Sequence, residues 1–365
     1  MFRSWLLFAL LLAVASPAWS DDKAVADAAA AVKAAPDSAE AWNKYASAQF
    51  GRIAELTSTD AAAAEKLLAE VEKFIAANEP TGNDAKELVS RIKQAIPVFK
   101  QRLEIAKLPL ADLEKDLAAK PDGEGVASKY IGKITGVIQE LIDDAPKAEA
   151  KLADAKDRLA KAREAATDEA VKKEIDGAAR NFAQLERMIE SAKKLNALVG
   201  KDAAPLAVEA WVNGKPLTDG DLKGKVVLLD FWAVWCGPCI ATFPHLREWQ
   251  DEYADKGLVI IGLTSYYKFK WDEEAKKPAR NAEVSNEEEQ AMLVKFAEMH
   301  NLKHRFAIQD GKAMSEYYQV SGIPHVVVID QEGKVRLVRV GSGPKNAAAI
   351  SDLLKKLLAD KAASK

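Results

Sequence analysis

The hydrophobic rhythm of the chain changes once, near residue 200. Before that point apolar residues recur at three- and four-residue steps. Val126, Tyr130, Ile131, Ile134, Val137, Ile138 and Leu141 line one helical face, and Phe182, Leu185, Ile189 and Ala192 line another. Ala, Lys, Glu and Asp fill most of the positions between. Pro36-Asp37-Ser38, Pro80-Thr81-Gly82-Asn83, Pro121-Asp122-Gly123 and Asp144-Ala145-Pro146 interrupt the pattern. Asp37 or Ser38 is placed to cap the helix that carries Ala41 and Trp42. These features predict an all-α array of about six to eight helices packed as antiparallel hairpins. Trp42, Tyr45 and Ala46 faintly echo a tetratricopeptide signature, but no second copy stands at that period. Lys147 to Ala165 is charged with a sparse Leu/Ala stripe, and reads as a solvated helix rather than a coiled-coil arm.

After Lys201 the chain alternates short apolar runs with helical stretches. Leu206 to Val212 reads as a strand, with Asn213-Gly214 as a hairpin turn. Val226 to Phe231 is nearly continuously apolar, as a strand buried on both faces should be. A helix runs from the Cys-Gly-Pro-Cys segment through Tyr253, and Leu258 to Leu263 is the next strand. Helices around Glu287 to His300 and Ala313 to Tyr318 follow. Val326 to Ile329 and Val335 to Val340 are strands joined at Gln331-Glu332-Gly333, before a last helix from Ala347 to Leu358. The order β-α-β-α-β-β-α predicts a parallel core with an antiparallel edge. The chain thus divides into an all-α helical domain over 21–200, a scaffold or partner-docking module, and an α/β domain over 201–365. In the second, a central mixed sheet is flanked by helices.

The first twenty residues stand apart. Arg3 precedes an apolar run from Trp5 to Ala15, and Ala18 and Ser20 place small residues before Asp21. This is the layout of a secretory signal peptide cleaved after Ser20, and the run is shorter than the roughly 20 residues that span a bilayer. The expected destination is periplasmic or otherwise extracytoplasmic. No cysteine lies near the cut, which excludes a lipid anchor there. Across 365 residues 29% are charged, the net charge is −3 and the signs are interspersed. With no basic face, nucleic acid is excluded as a partner.

The only two cysteines are Cys236 and Cys239, in Trp235-Cys-Gly237-Pro238-Cys. A cross-link that closes so short a loop removes little chain entropy, and a disulfide scaffold would carry several pairs. Zinc needs two further ligands, and the four histidines are His245, His300, His304 and His325. His300 and His304 have helical spacing, but His304 should fall beyond the helix end. A peroxidatic site is disfavoured by Ala-Val-Trp just before Cys236. What remains is a redox dithiol that needs neither metal nor cofactor. At a helix N-terminus, free backbone N–H groups and the helix dipole favour the Cys236 thiolate. Cys239, one turn inside, is placed to resolve a mixed disulfide.

From Ala204 to about Lys361 the chain resembles the thioredoxin superfamily, and more narrowly the exported TlpA/ResA-type thiol-disulfide oxidoreductases. Two motifs carry the resemblance: APLAVEAWVNGKPLTDGDLKGKVVLLDFWAVWCGPC and VSGIPHVVVIDQEGKV. The first is similar to that branch's leading β-hairpin, its approach to the central strand and its Trp-Cys-x-x-Cys site. The resemblance implies a cis bond before Pro324, with the Ile323-Pro324 loop facing the sulfurs and pairing with substrate backbone. It implies that Asp230 is a buried carboxyl of raised pKa, acting as base for Cys239. Trp235, Gly237 and Pro238 join Ile323 and Pro324 as the substrate-binding surface, while Trp232 packs in the core and Pro244 kinks the active-site helix.

The departures from the family pattern are local. Ile240 and Thr242 replace residues that are often charged in the branch. His325 follows the proline where Thr is common, and is expected more often to face away from the dithiol than to act on it. The stretch 265–286 is longer than usual and alternates Tyr266, Tyr267, Phe269 and Trp271 with Lys268 and Lys270. It follows a parallel strand, so it should emerge at the same sheet edge as the cysteines, as a substrate-contacting flap. Gly-Pro between the cysteines matches thioredoxin, a reductant at about −270 mV, rather than DsbA at about −120 mV. The expected partners are disulfide-bearing exported proteins and a membrane thiol-electron donor, with a protein partner for the helical half. The alternative is a helical partner-binding module whose thioredoxin-like domain is accessory.

Overall fold

The computed structural model describes residues 22–359, so the signal-like leader lies outside the described residues. The chain forms two compact units that divide between residues 194 and 195.

The first unit contains eight described helices: α1 (Asp22–Ala34), α2 (Ala39–Thr59), α3 (Ala61–Ala77), α4 (Asn83–Lys107), α5 (Leu110–Ala119), α6 (Val126–Glu140), α7 (Ala145–Ala165) and α8 (Glu169–Asn196). Polar caps set several of the starts. Ser38 accepts the Ala41 N–H at α2, Asp60 that of Ala63 at α3, and Asp144 that of Lys147 at α7. Asp37 does something else. Its carboxylate accepts the Thr81 and Gly82 N–H groups at 2.6 Å each and the Thr81 hydroxyl at 2.7 Å, tying the α1–α2 turn to the α3–α4 turn.

Asp122 makes the same tie to the α7–α8 turn, accepting the Thr167 and Asp168 N–H groups and, at 2.7 Å, the Thr167 hydroxyl. The correspondence extends through the core. Ala28, Val32, Tyr45 and Ile53 are buried in one cluster, and Leu113, Leu117, Tyr130 and Ile138, each 85 positions later, in a second. Ala64, Leu68, Val71 and Ile75 match Ala148, Leu152, Ala155 and Leu159 at an offset of 84. Val89, Ile92, Ile96 and Leu103 match Ile175, Ala178, Phe182 and Ile189 at 86. The helical unit is therefore a four-helix motif stated twice, each copy with its own core. The period is more than twice that of a tetratricopeptide, which is why no second copy stands at the shorter period.

In the second unit a six-stranded sheet has the order β1-β6-β3-β2-β7-β8. Its strands are β1 (Val208–Val212), β2 (Val226–Phe231), β3 (Leu258–Thr264), β6 (Arg305–Gln309), β7 (His325–Ile329) and β8 (Val335–Val340). β2, β3 and β6 run parallel; β1 pairs antiparallel with β6 on one side, β7 pairs antiparallel with β2 on the other, and β8 pairs antiparallel with β7. β4 (Phe269–Asp272) and β5 (Lys277–Arg280) form a separate hairpin. The helices are α9 (Gly237–Tyr253), α10 (Asn286–Met299), α11 (Ala313–Tyr317) and α12 (Pro344–Ala359).

Two expectations are corrected. The expected element order lacks β6, since five residues beginning with Arg305 hold no apolar run long enough to announce a strand. The Asn213-Gly214 turn, with both residues at positive φ, closes no hairpin with a following strand. β1 pairs instead with distant β6, and the Asn213 side chain donates to the Leu302 and His304 carbonyls ahead of it.

Period-two alternation sorts the two faces. Val226 and Leu228 pack in a cluster with both cysteines, Trp232, Phe243 and Phe296, while Val227, Leu229 and Phe231 face the opposite layer with Tyr318 and Met314. Gly262 on β3 has to lack a side chain, because a Cβ there would lie 2.8 Å from the Trp232 indole nitrogen.

Candidate active site

Three chain segments meet at one edge of the sheet because of strand direction alone. β2 and β3 are parallel, so the segments that follow them, Trp232 to Cys239 and the insertion 265–285, leave from the same edge. β7 is antiparallel to β2 with Phe231 opposite His325, so the residues that precede β7, Ile323 and Pro324, arrive there too. The Ile323–Pro324 peptide bond is cis.

Cys236 is the N-cap of α9. The Cys239 N–H points at its sulfur (3.2 Å) and the Ile240 N–H bonds its carbonyl (3.1 Å). The two cysteines form a disulfide, with Cα atoms 5.3 Å apart. Cys239 is fully buried and Cys236 is 4% exposed, whereas Trp235 beside it is 54% exposed. Gly237 and Pro238 form the first turn of α9, where proline's missing N–H costs nothing. Pro244 lies inside α9, which continues as one helix to Tyr253.

Asp230 is the one acidic residue in a strand that is buried at every position, and neither of its oxygens has a hydrogen-bond partner. By strand alternation it shares the sheet face of the cysteine cluster. Burial pushes its carboxyl up to about 7. It is therefore a group that can hold or release a proton near neutrality, on the side of the sheet where Cys239 is buried.

The remaining candidates have partners other than the two sulfurs. His325 lies on the opposite face by the same alternation, edge-on to Phe231 at 5.5 Å, and burial holds it at about 4. His304 is likewise buried and held at about 4. His300 caps the end of α10 between Phe243 and Phe296. Among the described residues no cluster of His, Cys, Asp or Glu could hold a metal. Thr242 does not present a free hydroxyl, since it donates to the Cys239 carbonyl at 2.7 Å, and Ile240 packs half-buried on the core. Trp232 is a core residue, stacked on Phe296.

The insertion contributes Tyr267 to the site. Tyr267 stands edge-on to Trp235, with ring centroids 5.5 Å apart. Its neighbourhood is held by Glu289, a buried carboxylate absent from the sequence-based site. A signal for it exists: Glu289 occupies a position in the apolar series with Met292, Leu293 and Phe296, where an acid is out of place. A groove of about 720 Å³ opens beside these rings, with Phe231, Leu263, Tyr267 and Ile323 among its apolar walls and Gln309 and Ser315 among its polar ones.

A family model described as redoxin matches residues 199–357. The thiol-disulfide oxidoreductase ResA of Bacillus cereus is 31% identical over 137 residues, which are 38% of this chain and 66% of that protein. The thioredoxin-like protein YneN of Bacillus subtilis is 30% identical over 156 residues, 42% of this chain and 79% of that one. Among solved structures, a putative thiol:disulfide interchange protein DsbE from Chlorobium tepidum is 27% identical. It covers 44% of this chain and 97% of that one, with a TM-score of 0.35. The family match begins after the repeated helical motif, whose eight helices end at Asn196. With its paired cysteines at a helix tip and its cis proline at the same edge of the sheet, the chain belongs, through its C-terminal domain, to the thioredoxin-like thiol-disulfide oxidoreductases.

Proposed function

We propose that the protein reduces disulfides in exported proteins through Cys236 and Cys239, and is itself re-reduced by a membrane thiol-electron donor. The observation that carries this reading is the placement of the only two sulfurs able to exchange: one caps α9 and the other lies one turn inside it. In the reduced state the Cys236 thiolate faces the free N–H groups and the positive end of α9, which favours its ionisation.

The Cys236 thiolate attacks one sulfur of the substrate disulfide. A mixed disulfide forms and the first substrate thiolate leaves. Asp230, ionised, takes the proton from the Cys239 thiol as that sulfur attacks Cys236. The second substrate thiolate leaves, and two electrons have passed from the dithiol to the substrate. The product is the Cys236–Cys239 disulfide present in this structure. Trp235, Gly237, Pro238, Ile323 and Pro324 supply the contact surface, the last two offering backbone to an extended substrate segment. Export rests on the signal-like leader, and the Gly-Pro pair favours the reducing direction.

The test is mechanism-based trapping. Cys239→Ser should accumulate substrates as mixed disulfides on Cys236, released by dithiothreitol, and Cys236→Ser should trap none and lose insulin reduction. Capture that persists in Cys236→Ser would overturn the reading. The alternative, a helical docking module with an accessory redox domain, has less support. All the large apolar side chains exposed among the described residues lie at or after Val199. Among the described residues, the helical unit therefore presents no large apolar side chain that stands fully out as a docking anchor.

A further inference from the structure

A side chain of α10 gathers the base of the insertion after β3. Glu289, one turn into α10 and 2% exposed, accepts the Tyr267 N–H on one oxygen (2.8 Å) and the Lys268 N–H on the other (2.9 Å). Lys268 sits at φ +63°, a left-handed turn that aims two successive N–H groups at a single acceptor. The same turn is braced by the Lys268 ammonium on the Val284 carbonyl (3.0 Å) and by the Asn281 N–H on the Lys268 carbonyl (2.8 Å). Burying a carboxylate is costly unless charge-assisted hydrogen bonds compensate it. Here both compensating bonds go to the backbone of a loop outside the six-stranded sheet. The result of the clamp is the location of one ring. Tyr267 meets Trp235 edge-on next to Cys236, and also walls the groove that reaches Ile323.

Building on the reductase reading above, we propose that Glu289 is a positioning residue and Tyr267 a specificity-determining one. The clamp holds Tyr267 so that it and Trp235 form an aromatic ledge for the apolar residue beside the target cysteine. This selects disulfides carried in polypeptides over small-molecule disulfides. A small disulfide has no flanking side chain to lay on the ledge, so it gains nothing from it. A polypeptide gains the contact in both the encounter complex and the transition state, so its loss appears in KM. Glu289→Gln keeps one acceptor oxygen but opposes an NH₂ to the second backbone N–H, which loosens the clamp with little change in volume.

The test uses the full chain and two probes, insulin and glutathione disulfide, reading the ratio of their kcat/KM values. Tyr267→Ala and Glu289→Gln should each lower that ratio about tenfold, the loss expected when an aromatic anchor is removed from a contact surface. The loss should come through KM for insulin. The double variant should fall no further than the lower single variant, because both substitutions act through one ring. A ratio within twofold of wild type for Tyr267→Ala, or additive losses in the double variant, would overturn the proposal. Should Glu289→Gln fail to fold, Tyr267→Ala decides alone. A wild-type chain inert toward both probes would overturn the reductase reading itself, a result distinct from an unchanged ratio.

Discussion

Asp230 is poised because nothing bonds to it. Burial raises its carboxyl from 3.8 to about 7, so the folded state keeps a proton that the unfolded state gives up over that interval. Its contribution to stability is full below pH 3.8 and lost as the pH rises through 7. His304 and His325 work in the opposite sense. Burial lowers each from 6.5 to about 4, so their contribution is present above pH 6.5 and lost as the pH falls through 4. Between pH 4 and 6.5 two histidines outweigh one carboxyl, and only Asp230 acts from 6.5 to 7. These groups place the stability maximum of the oxidised protein near pH 6.5. Urea midpoints across pH 4 to 8 should show it. Asp230→Asn should be the more stable protein at pH 8, by up to roughly 4 kcal/mol, with the advantage gone at pH 4. The same variant should resolve its mixed disulfide at least about a hundredfold more slowly in rapid-quench assays. At this scale the sequence is most legible where the chemistry is local. Cys236, Cys239, Asp230 and Pro324 sit in short motifs, whereas His325 is placed on the far face only by the register of β7 against β2. Glu289 is hidden because its partners are backbone groups about twenty positions away, which no side-chain pattern records.

Elements are readable in proportion to their apolar content. β2, β3 and β7 announce themselves as nearly continuous apolar runs, whereas β6 and the β4–β5 hairpin are short and mix charged with apolar residues. Their pairing is set by tertiary context, which overrides local propensity. The repeat in the helical unit is concealed for another reason. Its two copies keep burial more than identity: Val32 answers to Leu117 and Ile96 to Phe182, and only a few core pairs, Tyr45 with Tyr130 and Leu68 with Leu152 among them, are identical. Identity also survives in the turn: Pro36-Asp37 and Pro121-Asp122, with Thr81 and Thr167 as their respective partners. Both aspartates are held below the usual carboxylate range, chiefly by the backbone N–H groups they accept. Asp37→Ala and Asp122→Ala should therefore lower the melting temperature by similar amounts, a few degrees each. Hydrogen exchange should localise each loss to its own four helices. A loss spread over all eight would contradict separate cores.

For the whole molecule, two units with separate hydrophobic clusters imply two folding units. Residues 195–365 expressed alone should unfold cooperatively and reduce insulin with a kcat within about threefold of the full chain, since every site residue named above lies in that span. A fragment that folds but has lost kcat would assign the helical motif a part in the chemistry. The closed pair of sulfurs has one more consequence. With a single possible intramolecular bridge and no third thiol, every dithiothreitol-sensitive adduct above monomer mass on a non-reducing gel must have consumed Cys236 or Cys239. Simple electrophoresis of the unmodified protein thus reports turnover intermediates without background from bystander thiols.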